Sequence, residues 1–292
     1  MSKFDKYGAN LIFVISLPRS GSTLLQRILG VHCDVLTVPE PWIMLHPLYA
    51  LKREGIETEY EAFQARQALD DFLGHTAHGE ETYIEAIRMM TSMLYGSVFK
   101  DKRKRFFIDK TPRYFHIIPE LRQVFPNAKF VILLRNPIAV LSSVMETWFN
   151  NQPGLFLKSY NRLDMVKGPG LLLDGIRILD DKAIVVRYED LVTDPENHVR
   201  KLSEKLGLTF NLQMLDYSNS PQPQGRFGDQ TSVLEHSAPV SDSVEKWRTS
   251  LSTKELANFA HKYLNSLGSE IVTKLGYDFE ALKRSLEQLK VS

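Results

Sequence analysis

One cysteine, Cys33, stands in the whole chain. No intrachain disulfide is available, and a lone thiol of this kind fits a reducing compartment, so the expected setting is the cytoplasm. Neither sign of charge is in excess: 36 Lys and Arg face 35 Asp and Glu, a formal net charge of +1. That balance excludes a broad nucleic-acid-binding field and an acidic tail, and any anion site must be local. The basic run "KDKRKR" from Lys100 leads straight into an apolar segment and reads as a solvated turn. Long apolar runs are missing as well. "LIFVISL" at 11–17 is too short to span a membrane and lacks a signal-peptide cleavage pattern, so no integral membrane segment is expected. His and Cys show no metal-ligand spacing and no acidic calcium-loop pattern occurs, so no metal is expected.

What the chain does hold is core-forming material, with 43% apolar residues in a length of 292. One domain spanning 1–292 and carrying an insertion is the expectation. Short continuous apolar runs at 11–17, 106–108, 129–134 and 183–187, and a weaker one at 35–38, read as buried parallel strands. Helical patterns fall between them at 23–29, 60–73, 82–99, 115–125, 137–149 and 195–206, with more helix after 252. The alternation predicts an α/β fold, a P-loop-like three-layer sandwich with a central parallel sheet of about five strands and helical insertions. Residues 41–104 insert two helices between strands. Residues 218–243, rich in Ser, Pro, Gly and Gln, read as a lid over cofactor or substrate, or as disorder. Met89, Met90 and Met93 on a helical pattern suggest core, or an adaptable acceptor pocket. Cys33 reads as a small buried residue.

The first strand runs into "SLPRSGST" and then a helix. A small-residue turn of this kind gathers backbone N–H groups at the positive end of a helix and suits an anion. Aligned on a Walker A loop, Gly21 and Thr23 match, but Ser16 and Ser22 replace the first glycine and the lysine. The cation has moved forward to Arg19, which disfavours ATP or GTP hydrolysis.

A second strand ends at Arg135, Pro137 opens a helix, and Ser143 lies eight residues beyond the arginine. A guanidinium and a hydroxyl so placed can face one phosphate group. Two anion sites at two strand ends point to a nucleotide with phosphate groups at both ends of its ribose.

On these residues the chain resembles the sulfotransferases that use 3'-phosphoadenosine 5'-phosphosulfate (PAPS), in the branch of bacterial and tyrosylprotein enzymes. "PRSGSTLL" is similar to that family's 5'-phosphosulfate loop, which implies cofactor contacts from Arg19, Ser20, Gly21, Ser22 and Thr23. Arg135 with Ser143 resembles its 3'-phosphate motif. "VPEPW" puts Glu40 where that branch carries its catalytic glutamate, 21 residues after Arg19. "FIDKTPRYF" puts Lys110 where the family has a lysine facing the transferred group. Tyr188 in "VVRYEDLVTDP" matches a tyrosine near the nucleotide, and Ser232 and Lys246 match its C-terminal cofactor loop. Thr147 stands where the tyrosylprotein enzymes have a further arginine, which argues against a protein-tyrosine acceptor.

The resemblance implies PAPS as donor, adenosine 3',5'-bisphosphate as product, and in-line transfer to a hydroxyl. Glu40 is then the general base and Lys110 the transition-state cation, and no metal is required. The apolar inserted helices suggest a small-molecule or lipophilic alcohol as acceptor, with no nucleic-acid partner. His46, His116 and His236 stay open as alternative bases. A P-loop small-molecule kinase and a non-catalytic nucleotide-binding module are the other readings.

Overall fold

Alternate residues of the central strands enter two different cores. Leu11, Phe13 and Ile15 join Phe130 and Ile132 on one face, while Ile12 and Val14 join Val131 and Leu133 on the other. A strand buried on both faces has no polar side, which is why these segments read as continuous apolar runs. In the computed structural model, which describes residues 4–55, 62–99, 104–218 and 237–289, three such strands and two less buried edge strands form one parallel sheet. They are β1 (Leu11–Ser16), β2 (Val35–Thr37), β3 (Phe106–Lys110), β4 (Lys129–Leu134) and β5 (Ala183–Arg187), ordered β2-β3-β1-β4-β5. β1 is central, so the chain passes over it between β3 and β4, creating the switch at whose carboxyl edge open α/β sheets bind ligands.

Helices cover both faces. α1 (Ser22–Gly30) follows β1, and α2 (Leu45–Tyr49), α3 (Ala62–Leu73) and α4 (Glu80–Val98) occupy the insertion between β2 and β3. A 3₁₀ turn over Pro112–His116 and α5 (Ile118–Val124) replace the single helix expected at 115–125. Ile117 between them is non-helical at φ −136°, and Pro119, which has no backbone donor, takes a place in the first turn of α5 where none is needed. α6 (Pro137–Phe149) follows β4, capped by the Asn136 side chain, which accepts from Ile138 N. Three helices, Pro153–Lys158, Arg162–Val166 and Gly168–Leu179, break an interval where Pro and Gly obscure any continuous helical period. Pro195–Leu206 matches its expected span, and Lys254–Lys274 and Phe279–Glu287 supply the C-terminal helices.

Two expectations are corrected. Cys33 is exposed in the turn after α1 rather than buried. Met89 and Met93 are 69% and 76% exposed, because α4 buries the face carrying Ile84, Ile87, Arg88, Thr91 and Tyr95. The methionines lie off that stripe and do not build core. No described helix is long and apolar enough to cross a membrane.

Candidate active site

Each of the five strands delivers one residue of the proposed set at its carboxyl end: the 17–21 loop after β1, Glu40 after β2, Lys110 ending β3, Arg135 after β4 and Tyr188 after β5. The loop after β1 turns through two left-handed residues, Arg19 (φ 64°) and Gly21 (φ 92°). Gly21 is required for a second reason, since a Cβ there would stand 2.4 Å from Cδ2 of Tyr188. Ser20, Ser22 and Thr23 are buried. The first turn of a helix has N–H groups without intrahelical acceptors, and here α1 presents that turn to the sheet edge.

Arg19, Ser143, Arg135 and Tyr188 form one connected group. Arg19 Nε donates to Ser143 Oγ at 3.1 Å, and Arg135 donates from Nη1 to the Arg19 carbonyl at 2.9 Å. Arg135 Nη2 donates to the Ser243 carbonyl at 2.8 Å, and its guanidinium lies 4.2 Å from the Tyr188 ring centroid. Tyr188 and Ser243 share a hydroxyl–hydroxyl hydrogen bond. Arg135 Nε is buried without a partner, and desolvation holds the group's pKa below the ordinary arginine value, with Arg19 adding to the effect. An orphaned cationic donor beside a second arginine is a place where an anion lowers the energy. The sequence had set Arg19 apart from the Arg135 and Ser143 pair; the structure joins all three.

Glu40 and Lys110 form the other half. Lys110 Nζ donates to Glu40 Oε1 at 2.8 Å, with side chains 1% and 12% exposed. Lys110 Nζ also lies 3.4 Å from Thr23 Oγ1, which ties the pair to the first turn of α1. Trp42 Nε1 donates to Glu40 Oε2 at 3.2 Å. Arg113 lies over Trp42 and also over Trp148 from α6, 5.6 Å from each ring centroid, and pairs with Asp164. An aromatic surface therefore borders the carboxylate.

Ser232 lies outside the described residues, as do 219–236 of the expected lid and the alternative base His236. Lys246 is described, but its ammonium pairs with Glu146 on α6 at 3.0 Å and is well exposed. It would have to leave Glu146 to meet a ligand. Residues the sequence reading passed over support the site from beneath: Gln26, Asp109, Thr111, Tyr114 and Ser243. The available signal was a charged residue, Asp109, inside the otherwise apolar strand "FFID".

The group of an N–H-rich loop, two arginines and a buried lysine–carboxylate pair on one sheet edge suits transfer of an anionic group from a nucleotide. The sulfotransferase family model matches residues 11–211, which covers every one of these residues except the last loop. The chain belongs to the sulfotransferase family. This sulfotransferase is 30% identical to nodulation protein NoeE of Sinorhizobium fredii (strain NBRC 101917 / NGR234), over 92% of the chain, and spans 66% of that protein's length. It is 24% identical to a putative protein-tyrosine sulfotransferase of Caenorhabditis briggsae, covering 97% of the chain and 93% of the relative. Among solved structures, the sulfotransferase domain from the curacin biosynthetic pathway superposes with a TM-score of 0.57 at 22% identity, over 91% of this chain and 97% of that one. That likeness concerns the fold.

Proposed function

We propose that this sulfotransferase takes the sulfuryl group of PAPS and passes it to a hydroxyl of a small or lipophilic acceptor, with Glu40 as general base. The observation that carries the reading is the pairing of partly buried Glu40 with buried Lys110, held against Thr23 at the start of α1. A carboxylate and an ammonium at the mouth of an anion loop supply both needs of the reaction, a base for the acceptor and a cation for the departing phosphate.

Ser20, Gly21, Ser22 and Thr23 would hold the 5'-phosphate side through the helix N-terminus. Arg135, with its orphaned Nε, and Ser143 would hold the 3'-phosphate, and Tyr188 braces both by packing on Gly21 and under Arg135. Arg19 bridges the two halves. In the transfer, Glu40 receives the acceptor's proton as its oxygen bonds to sulfur. The bond from sulfur to the bridging oxygen breaks, and Lys110 offsets the charge that the departing bisphosphate gains. Fixed cations and N–H dipoles serve where the transferred group carries less charge than a phosphoryl, so no metal is invoked. Trp42 and Trp148 offer an apolar edge to the acceptor, and the exposed thiol of Cys33 is in keeping with a cytoplasmic setting.

A thermal-shift comparison tests the donor. Adenosine 3',5'-bisphosphate is expected to raise the melting temperature in the presence of EDTA. Stabilisation by Mg-ATP alone would overturn the reading in favour of a kinase.

A further inference from the structure

Beneath the Glu40–Lys110 pair lies a carboxylate that the transfer step does not use. Asp109 is fully buried and precedes Lys110 on β3. Its Oδ2 accepts from Tyr95 Oη at 2.6 Å and from Tyr114 Oη at 3.3 Å, and its Oδ1 accepts from Thr111 Oγ1 at 2.8 Å. Two of these three partners reach onward to the segment that bears Glu40. Trp42 N donates to Thr111 Oγ1 at 3.4 Å, and Met44 N donates to Tyr114 Oη at 3.0 Å. The other end of that segment is held from α1, where Gln26 Nε2 donates to the Val38 carbonyl at 2.8 Å.

The hydroxyls are consequently oriented by Asp109. Each has one proton, and giving it to the carboxylate leaves its lone pairs turned toward the backbone N–H groups of Trp42 and Met44. Trp42 sits at φ 58°, a left-handed conformation unfavourable for a bulky residue, so the segment needs outside support to keep it. Tyr95 comes from α4, so the same carboxylate also ties the inserted helices to the site.

We propose that Asp109 is a positioning residue for the transfer reaction: through Thr111 and Tyr114 it fixes the 38–44 segment so that Glu40 stands in register with Lys110. The inference rests on the reading of Glu40 as base. Burial pushes the Asp109 carboxyl up to about 6, and the Glu40 charge adds to the shift, as expected of a carboxylate coupled to the site it supports.

The test uses Asp109→Asn, Thr111→Val and Thr111→Ser in the full chain, read in two ways. In hydrogen-exchange mass spectrometry, Asp109→Asn and Thr111→Val are expected to lose protection in peptides spanning 39–44 while the sheet keeps its own; Thr111→Ser, which retains the hydroxyl, keeps the wild-type pattern. In kinetics, the first two lower kcat about tenfold with KM for PAPS within about twofold, and the double variant is no worse than either single one. Unchanged exchange at 39–44 overturns the proposal, and so does a loss spread evenly over the chain, which would make Asp109 a general stability residue. The exchange readout needs no turnover. A wild type that transfers no sulfuryl group, with the local loss still seen in the variants, would therefore overturn the activity and leave the dependence of the segment on Asp109 standing.

Discussion

Lys110, fully buried, and Glu40, partly buried, meet as an ion pair, Nζ to Oε1 at 2.8 Å, where β3 ends and the segment after β2 turns back. The two opposite charges offset one another's loss of water at the sheet edge.

Lys110→Met keeps the length of the side chain and strands the glutamate. Removing one member of a buried pair costs about 3 kcal/mol or somewhat more. Urea denaturation is expected to show a loss of that order, along with a fall in kcat of at least about a hundredfold. A variant as stable and active as the wild type would show that the pair is not a working unit.

Gly21→Ala tests the loop. The new methyl group meets both a left-handed backbone and the Tyr188 ring at 2.4 Å. Strain of this kind costs about 1–3 kcal/mol, so the melting temperature should fall, and stabilisation by adenosine 3',5'-bisphosphate should largely disappear. Thermal shift with and without the nucleotide reads both effects.

Ser143→Ala separates the two ends of the nucleotide. Ser143 Oγ is the acceptor for Arg19 Nε, and we propose that it also meets the 3'-phosphate. Calorimetry should find affinity for adenosine 3',5'-bisphosphate lowered about tenfold, the worth of one charge-assisted hydrogen bond. Affinity for adenosine 5'-monophosphate, which lacks that group, should hardly move. Equal losses for both would remove the assignment.

The Asp109 carboxyl makes stability depend on pH. Its folded pKa of about 6 lies above the ordinary 3.8, so the folded state holds a proton that the unfolded chain gives up sooner. The contribution is favourable below about pH 4, is lost as pH rises toward 6, and amounts to about 3 kcal/mol over that window. Asp109→Asn has no such proton. Its stability relative to the wild type should therefore improve between pH 4 and 7 in paired urea titrations, even as turnover falls. A difference that does not vary with pH would place the Asp109 pKa near its ordinary value.

The centre of the sheet was legible because burial on both faces writes itself into sequence as uninterrupted apolar runs, and β4 falls on its expected residues; β5, a half-exposed edge strand, was legible from its β-branched run Ile184–Val186. The anion loop was legible for the same kind of reason, since a strand, a small-residue turn and a helix lie next to one another in the chain. The joining of Arg19 to Ser143 was not legible, because 124 residues separate them and only the adjacency of β1 and β4 brings them together. The supports beneath Glu40 were hidden in the same way: Gln26 looks like an ordinary helix residue and Tyr114 like an ordinary core aromatic until their bonds to Val38 and Met44 are seen. The helices at 153–166 were missed because they are pieces of six and five residues, too short to show a period, and Gly168–Leu179 because it opens on Gly-Pro-Gly and carries Gly175 on its buried face.

The most direct measurement is the transfer of ³⁵S from labelled PAPS into acceptors of a metabolite extract, in EDTA, by the wild type and by Glu40→Gln, with calorimetric binding of adenosine 3',5'-bisphosphate as the control. The expected result is a labelled product heavier than its acceptor by one sulfuryl group with the wild type. Glu40→Gln should lose at least about a hundredfold in rate and bind the bisphosphate within about threefold of the wild type. Product formation by Glu40→Gln at the wild-type rate, or a wild type that neither binds the bisphosphate nor transfers label, would contradict the account.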